Sequence, residues 1–365
     1  MKITARMIVL AALAAMPLAA AEAGTTTGWV EYGSNPVYSP GKAYYPSVVL
    51  DGGTYRMWST KSGGIQYATS ADGITWSASQ DATGGLTSPH HVTVEQYDPF
   101  TGANSGSNPS DATMNYRMWY WDTGQLYSIN AIRYAESADG LTWYNDQAVT
   151  QVGSTVVDNS SSSNWNRGSY GPCDVLYNPS GSADITEPDS EADVWANKFV
   201  MYYDGTTGGK EDIGLAVSND GRNWQGYNGG LAPVLSGSGG AGDWDRTYVS
   251  RCTVVKDDAD TYHMWYSGGD GRIDHGIGYA SSSDGINWAR DAANPIFYKD
   301  DTGTEADWRD SRTYTPLVIG DQMWFSGKDV ESGTYAIGYA TPEPATMGLL
   351  ALGGALVLGR RRKQR

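Results

Sequence analysis

The chain has 365 residues and a formal net charge of −16, with 41 acidic residues against 25 basic ones. This acidic balance excludes a nucleic acid as the partner, because phosphate contacts need a basic surface. The aromatic residues are 14 Trp and 25 Tyr against only 4 Phe. Trp and Tyr join an apolar ring to a polar group, which suits short strands near a surface and the stacking of sugar rings.

The first 23 residues have the pattern of a secretory signal peptide. Lys2 and Arg6 give a positively charged start, and an apolar run follows at residues 7–20. Ala21-Glu22-Ala23 then supplies a cleavage site of the small-x-small type. We therefore expect export and processing by signal peptidase, with the mature chain beginning at residue 24.

The C-terminal residues 342–365 have the pattern of a second sorting signal. Pro342-Glu343-Pro344 is followed by an apolar run at residues 347–359 and by the basic cluster Arg360-Arg361-Arg362-Lys363. The order of these parts resembles the PEP-CTERM sorting tail of Gram-negative bacteria. The resemblance implies an exosortase as a partner and a destination at the cell envelope, the outer surface or the extracellular matrix. The apolar run is shorter than the ~20 residues of a stable membrane-spanning helix, which favours a transient stop.

Without these two ends, residues 24–341 remain, and the loss of seven basic and two acidic residues takes the net charge to about −21. No Cys or His motif with metal-ligand spacing occurs, so no cofactor is expected. The acidity leaves calcium binding open, above all in the loop at residues 178–197. Its carboxylates are Asp184, Glu187, Asp189, Glu191 and Asp193. A solvated acidic loop is the alternative interpretation, and we expect a monomer.

A strand centred on Met and usually an aromatic residue recurs through the mature chain. Its five copies are centred on Met57, Met118, Met201, Met264 and Met323. A short apolar strand precedes each copy, and a strand such as Ile277-Gly278-Tyr279-Ala280 follows it. The first four copies continue with a Ser-x-Asp-Gly turn and a strand that contains Trp. Asp-Gly is a strong hairpin signal, because both turn residues must adopt φ > 0.

Each repeat therefore predicts four strands, and four-stranded units repeated radially are the blades of a β-propeller. The fifth repeat stops at Ala340, before its fourth strand. We expect the N-terminal strand to supply it, since Trp29 followed by Asn35-Pro36 matches Trp288 followed by Asn294-Pro295. The predicted fold class is all-β: a five-bladed propeller with four-stranded blades, closed by the N-terminal strand. A six-bladed ring of sialidase type is the alternative, and the repeat count argues against it.

In such a propeller, a ligand funnel is lined by the starts of the innermost strands and by the loops between the second and third strands. Convergence of polar and aromatic groups there indicates a binding site. The residues expected to bind substrate are Tyr45, His91, Trp121, Tyr170, Asp174, Arg251 and Arg312. The candidate catalytic carboxylates are Asp204, Glu211, Asp270 and Asp274. Trp121 is the residue expected to stack on a sugar, with a packing role as the alternative.

The repeated strands and Asp-Gly hairpins resemble those of the arabinanase–xylosidase and invertase–levansucrase propeller glycosidases over nearly all of residues 28–340. The resemblance implies carboxylates at the funnel starts of the first three blades. Glycoside hydrolysis needs two of them, one to protonate the leaving oxygen and one to activate water or attack. The matching positions here hold Tyr45, His90 with His91, and Tyr170.

Three functions remain open. The first is a carbohydrate-binding protein at the cell surface or outside the cell, without the usual glycosidase mechanism, and we favour it because the expected carboxylates are replaced. The second is a glycoside hydrolase or lyase acting on poly- or oligosaccharide with relocated catalytic groups. The third is a structural protein of the extracellular matrix.

Cys173 and Cys252 are the two cysteines of the chain, and they fall at equivalent positions of adjacent innermost strands. Export permits a disulfide between them. The alternative is a pair of buried free thiols, since neighbouring strands can exceed the ~7 Å between Cα atoms that a bridge tolerates.

Overall fold

A computed structural model of the chain describes residues 28–101, 113–153, 155–181, 188–257, 259–271, 273–299 and 308–342. The predicted signal peptide, the sorting tail after Pro342, and Asp184 and Glu187 of the predicted acidic loop lie outside these residues. Within the described part, the helices are α-helix Glu191–Ala196 and the 3-10 helices Ile129–Ala131 and Tyr227–Gly230. None of them has the length and apolarity of a membrane span. The chain is therefore all-β, as predicted.

The strands of the described residues form four sheets, and the ten-stranded one is divided here at its parallel Glu211–Tyr248 pairing, which gives five antiparallel units numbered along the chain. Unit 1 contains Tyr44–Asp51, Thr54–Lys61, Gly64–Ser70 and Gln80–Asp81. Unit 2 contains Pro89–Thr101, Thr113–Asp122, Ile132–Ser137 and Thr142–Ala148. Unit 3 contains Gly168–Tyr177, Phe199–Thr207, Lys210–Ser218 and Asn223–Gly226. Unit 4 contains Tyr248–Lys256, Tyr262–Gly269, Asp274–Ser282, Ala289–Arg290 and Phe297–Tyr298.

Unit 5 contains Arg312–Ile319, Gln322–Lys328 and Tyr335–Pro342, and its fourth strand is Trp29–Glu31 from the other end of the chain. Trp29 lies opposite Pro342 in this antiparallel pair. Two further strands, Thr83–Gly84 and Thr150–Gln151, run parallel to the last strands of units 2 and 3. The first strand of the chain thus completes the last unit.

The Asp-Gly turns fasten neighbouring units together. In the turn of unit 2, the Gly140 N–H donates to Ser137 Oγ at 2.9 Å, and the Leu141 N–H donates to Asp139 Oδ1 at 2.8 Å. The Gly140 carbonyl accepts a hydrogen bond from the buried Trp58 Nε1 of unit 1 at 2.6 Å. Equivalent bonds run from Trp119 to Gly221, from Tyr202 to Gly285 and from Trp324 to Gly73.

Unit 5 has no Asp-Gly turn, so the equivalent Trp265 of unit 4 finds a different partner. Its ring packs edge-on against Trp29 with the centroids 6.1 Å apart. Trp265 Nε1 is buried without a hydrogen-bond partner in the described residues. The N-terminal strand therefore replaces the packing of the missing turn but not its carbonyl acceptor.

The strand directions separate two ends of the molecule. The first and third strands of each unit run one way and the second strand runs the other way. In unit 5, the third strand starts at Tyr335, beside Lys328 and Arg312, and it ends at Pro342. The start of the sorting motif therefore leaves the fold at the end opposite to the starts of the first strands.

Gly140→Ala is expected to test the fastening of the units. Gly140 has a φ of 79°, and a Cβ there would lie 2.7 Å from Trp58 Cζ2. Gly53 has a similar φ of 83°, but a Cβ added there would meet no atom of the described residues within 4 Å. Gly53→Ala is therefore the matched control. We expect the control to lower the free energy of unfolding by about 1 kcal/mol and Gly140→Ala by a further ~1–3 kcal/mol. Equal losses in denaturant titrations would contradict the role of the Trp58 contact.

Candidate functional site

The first strands of the units meet through a repeated β-bulge. In four units, one bulge residue adopts a left-handed φ between 43° and 54°. These residues are Tyr45, His91, Arg251 and Thr315. The N–H of each donates to a side-chain oxygen on the second strand of the preceding unit, at 2.7–3.2 Å. The acceptors are, in the same order, Ser326, Thr60, Asp204 and Ser267.

Between units 2 and 3 the pattern changes. Trp121 occupies the position at which the other units have Ser, Thr or Asp. The backbone of Gly171, on the first strand of unit 3, packs directly against Trp121. Gly171 has a φ of 98°, and a Cβ at this position would lie 2.8 Å from Trp121 Cβ. The indole of Trp121 therefore stands beside the axis because glycine lets the next strand approach it. We call the space bordered by Tyr45, His91, Trp121, Tyr170 and Arg251 the funnel.

A buried charge cluster lies on one side of the funnel. Arg251 Nη1 forms a short ion pair with Glu211 and lies 3.6 Å from Asp204 Oδ2. By strand register, Asp274 holds in unit 4 the position that Glu211 holds in unit 3. It accepts a hydrogen bond from Ser250 Oγ at 3.2 Å. Three of the four predicted catalytic carboxylates are thus brought together around one arginine.

Asp270, the fourth predicted catalytic carboxylate, lies outside this cluster. Its side chain is 38% exposed, pairs with Arg246 at 3.0 Å and lies within 3.4 Å of Thr247 Oγ1. The β-bulge between Gly268 and Gly269 places Asp274 opposite Gly269, whereas Asp270 follows the end of the second strand. A catalytic role for Asp270 therefore stays a prediction.

Burial sets the protonation of the cluster. Glu211 is 5% exposed, and loss of solvation raises its pKa to about 7 although Arg251 opposes the shift. Burial also raises the pKa of Asp204, which is fully buried. Asp204 Oδ1 accepts hydrogen bonds from the Arg251 N–H and from Cys173 Sγ, both at 2.9 Å. Asp204 therefore has the structural role of the Ser and Thr acceptors, whereas Glu211 can exchange a proton near neutral pH.

A second pair of acids lies deeper along the axis. Asp174 accepts hydrogen bonds from the Val254 N–H at 2.7 Å and the Val175 N–H at 2.9 Å. Burial raises the pKa of Asp174 to about 7 and, together with the charge of Asp174, raises that of Glu95 well above its usual range. Both line a small cavity of about 40 Å³, together with Tyr45, His91 and Arg251. The predicted substrate-binding residue Asp174 is thus held by backbone amides below the funnel.

Aromatic rings cover the opposite side of the funnel. The ring of His91 lies 3.7 Å from that of Tyr45 and 5.0 Å from that of Trp121, and Trp121 lies 5.1 Å from Tyr170. Arg251 stands 5.5 Å from the Tyr45 ring and 5.6 Å from the Tyr170 ring. The structure therefore brings together five of the predicted substrate-binding residues, while Arg312 lies further out beside Tyr314.

Two adjacent histidines are held neutral. His91 Nδ1 bonds to the Tyr170 carbonyl at 2.8 Å, and His90 Nε2 bonds to the Tyr44 hydroxyl at 2.7 Å. Burial and the nearby Arg251 charge lower the pKa of His90 to about 4 and that of His91 well below its usual range. Because a carbonyl only accepts, His91 carries its proton on Nδ1.

Several buried polar atoms around the funnel lack a hydrogen-bond partner in the described residues. They are Trp121 Nε1, His90 Nδ1, Arg251 Nε and Asp204 Oδ2. Eight further buried polar atoms elsewhere in the described residues also lack a partner, Trp265 Nε1 among them, and such groups are usually satisfied by ordered water or a ligand. No group of His, Cys, Asp and Glu in the described part of the chain has the arrangement of a metal site.

Cys173 and Cys252 are free thiols in the structure, so the alternative to the predicted disulfide is the one observed. They lie within hydrogen-bonding distance of each other, below the charge cluster. Burial raises the pKa of both thiols. Both are therefore protonated, and Cys173 uses its proton to bond Asp204.

Sequence reasoning missed Glu95 and Tyr335. Glu95 follows the apolar stretch Val92-Thr93-Val94, and an acid at the end of such a strand was the available signal. Tyr335 holds in unit 5 the register position of Glu211 and Asp274. Only an alignment of the third strands by their Ile residues could have indicated it.

Residues 340–363 match the PEP-CTERM protein-sorting motif, a motif of bacterial export and surface sorting. Two curated relatives, uncharacterized proteins from two strains of Mycobacterium tuberculosis, are 34% identical over 118 residues. The match covers 27% of this chain and 32% of each relative, so it spans about a third of their length.

Similar solved structures include a glycoside hydrolase with 15% identity and a TM-score of 0.57, covering 88% of this chain and 93% of that one. A thermostable family-43 glycoside hydrolase has 17% identity and a TM-score of 0.53, with 87% and 91% covered. The catalytic domain of a GH62 α-L-arabinofuranosidase from Coprinopsis cinerea has 11% identity and a TM-score of 0.54, with 87% and 98% covered. At these identities the likeness establishes the fold alone, that of the propeller-type glycoside hydrolases.

The pKa of Glu211 predicts a pH-dependent stability difference. A carboxyl whose pKa rises from 4.5 to about 7 on folding favours the folded state at low pH and loses that contribution as the pH rises. Glu211→Gln removes this titration. We expect the variant to gain stability over the natural protein between pH 4.5 and 7, by up to about 1.4 kcal/mol per pH unit. If the free energies of unfolding of Glu211→Gln and of the natural protein change in parallel with pH, the raised pKa of Glu211 is contradicted.

Proposed function

We propose that the protein is an exported surface protein that binds carbohydrate in the funnel. The observation that carries this proposal is the set of orphaned polar atoms beside the rings of Trp121 and His90. Sugars present hydroxyl groups at their edges and C–H groups on their faces. Donors without partners, next to aromatic rings, match both surfaces of such a ligand. The glycoside hydrolase fold is consistent with this ligand class, although fold alone does not assign function.

The carboxylates favour binding over hydrolysis. Asp204 is buried and holds a backbone N–H, and Glu211 is engaged with Arg251. The positions where the resemblance implies catalytic carboxylates hold Tyr45, His91 and Tyr170. Glycoside hydrolysis needs an acid and a base on either side of the scissile bond, and these side chains do not supply that pair.

A glycoside hydrolase or lyase is the second candidate, and one observation favours it. The raised pKa of Glu211, about 7, is the value that suits a general acid at neutral pH. Asp274, on the neighbouring unit, would be the second carboxylate of such a pair. A structural matrix protein without a ligand is the remaining alternative.

We further propose that the five units form one closed five-bladed propeller that acts as a monomer. The hydrogen bond from the Tyr45 N–H to Ser326 Oγ and the one from Trp324 Nε1 to the Gly73 carbonyl both join unit 5 to unit 1. The pairing of Trp29–Glu31 with the third strand of unit 5 supports the same closure. A closed ring leaves only the short outer strands of the units as sheet edges, so no second copy is needed to cover them.

The point at which the tail leaves the fold determines which end of the protein faces away from the envelope. Signal peptidase would remove residues 1–23, and an exosortase would act at Pro342-Glu343-Pro344. The matched sorting motif begins inside the third strand of unit 5, which ends opposite to the funnel. We infer that the tail holds the protein at the envelope with the funnel facing outward.

A glycan-array screen of residues 24–341, run beside a reducing-sugar release assay, tests the proposed function. Binding without release supports the carbohydrate-binding protein. Release of sugar supports the hydrolase and contradicts the favoured proposal, and Glu211→Gln should then abolish it. A lack of binding to every glycan contradicts both and leaves the structural protein.

Two tryptophans provide a matched test of the funnel. Trp121 Nε1 has no hydrogen-bond partner among the residues that the structure describes, whereas Trp195 stacks on Tyr262 at 4.9 Å and donates to the Asp284 carbonyl at 3.0 Å. We expect Trp121→Phe to weaken sugar binding about tenfold with no loss of stability. Trp195→Phe should lower the free energy of unfolding by about 1 kcal/mol and leave sugar affinity unchanged. Equal effects on affinity would contradict the assigned site.

Two exposed glycines at opposite ends of unit 1 test the display. Gly53 lies between its first and second strands, and Gly63 between its second and third strands. We expect Gly63→Cys to react with a bulky, membrane-impermeant maleimide on cells that retain the protein, and Gly53→Cys to be shielded. Released protein should react equally at both sites. Faster reaction of Gly53→Cys on cells would contradict the orientation.

A further inference from the structure

A basic and aromatic cluster borders the funnel where unit 5 meets unit 1. Lys42 Nζ lies 5.4 Å from the centre of the Tyr44 ring and 5.2 Å from that of Tyr335. Lys328 Nζ lies 5.4 Å from the same Tyr335 ring. The Tyr44 and Tyr335 rings are 4.6 Å apart. We call Lys42, Lys328 and Arg312, together with these two rings, the rim cluster.

The rim cluster brings three cations together, and Asp274 is the carboxylate that acts electrostatically on Tyr314 together with Arg312. Arg312 lies directly opposite Lys328 in the antiparallel pair, and like charges in that arrangement repel. Neither of them, nor Lys42, forms an ion pair with a carboxylate of the described residues. All three are half-buried, so solvent screens their charges only in part. Such an arrangement costs stability, which indicates a function.

The acids next to the rim cluster are used elsewhere. Asp329 accepts hydrogen bonds from the Glu331 and Ser332 N–H groups, and Asp310 accepts one from the Val330 N–H. These bonds lower the pKa of Asp329 but leave its carboxylate facing its own loop. A chain with a net charge of −16 has many carboxylates, yet in the described residues none is paired with these three cations.

The rim cluster is continuous with the funnel. The Tyr44 hydroxyl bonds to His90 Nε2 at 2.7 Å, and the Tyr44 ring lies 5.0 Å from that of Tyr45. Tyr45 in turn lies 5.5 Å from Tyr314, beside Arg312. A saccharide chain in the funnel would therefore place its next residue over the rim cluster.

We propose that the rim cluster binds an anionic sugar residue, so that the protein recognises an acidic saccharide. This inference rests on the proposed carbohydrate function and names its ligand class. The cations would pair with a carboxylate or a sulfate ester, and the guanidinium of Arg312 can hold either group by two parallel hydrogen bonds. The Tyr335 and Tyr44 rings would pack against the sugar.

Paired ligands test the proposal by calorimetry on residues 24–341. The probes are oligosaccharides of polygalacturonate and alginate beside their methyl esters, and of a sulfated galactan beside its desulfated form. We expect an acidic probe to bind about tenfold more tightly than its neutral counterpart. The preference should shrink as NaCl is raised from about 0.05 M to about 0.5 M, because salt screens exposed charges. A preference within the carboxylate and methyl ester pairs identifies a carboxylate as the anion, and a preference within the sulfated and desulfated pair identifies a sulfate.

Substitutions in the rim cluster test whether it causes the preference for acidic probes. Lys328→Gln should reduce the preference about tenfold without lowering the melting temperature, since it removes a repulsion with Arg312. The triple variant Lys42→Gln, Arg312→Gln, Lys328→Gln should bind acidic and neutral probes equally. Lys256→Gln is the matched control, because Lys256 also stands 5.0 Å from a tyrosine ring, that of Tyr262, but pairs with Asp260.

The outcomes separate this inference from the proposed function. Equal binding of acidic and neutral probes to the natural protein, or a preference that survives in the triple variant, overturns the rim cluster as the anion site and leaves carbohydrate binding intact. Failure of every probe, charged or neutral, together with a negative glycan array, overturns the carbohydrate proposal itself.

Discussion

The hydrogen bond from a left-handed bulge residue to the preceding unit is the interaction on which the rest of the structure depends. It turns the N–H of Tyr45, His91 or Arg251 away from its own sheet and toward a neighbouring side chain. A left-handed φ costs roughly 1–2 kcal/mol for a residue with a Cβ, so each bulge must be held by its partner. The same bulge directs these three side chains toward the axis. One device therefore joins the units and builds the funnel.

The acceptors of these bonds explain the charge cluster. Where units 1, 4 and 5 use Thr or Ser, unit 3 uses Asp204, which adds a negative charge in a fully buried place. A buried carboxylate needs a partner, and Arg251 supplies both its N–H and its guanidinium. Arg251 then binds Glu211 on the third strand and fixes the Tyr45 and Tyr170 rings. Asp204 and Glu211, two of the four acids that sequence reasoning assigned to catalysis, thus have a structural explanation, which favours recognition.

The parts of the fold that depend on local sequence could be predicted. The Ser-x-Asp-Gly turns form their bonds within six residues, so the motif alone identified them, and the similarity of Trp29 to Trp288 predicted the strand from the N-terminus. The position of Asp270 outside the charge cluster depends on a bulge that shifts register by one residue and has no sequence signature. Whether Cys173 and Cys252 form a disulfide likewise depends on side-chain positions in two different units. The rim cluster joins residues nearly 300 positions apart, Lys42 and Tyr335, so it is visible only once the chain ends have met.

The central claim is that a saccharide occupies the funnel, and the most direct measurement is a crystal structure of residues 24–341 with a bound oligosaccharide from the binding screen. We expect a sugar ring against Trp121, hydroxyl groups bonded to the unpaired nitrogens of Trp121 and His90, and the saccharide chain continuing toward Lys42 and Lys328. A sugar bound outside the funnel, with the Trp121 and His90 nitrogens still unpaired, would contradict it.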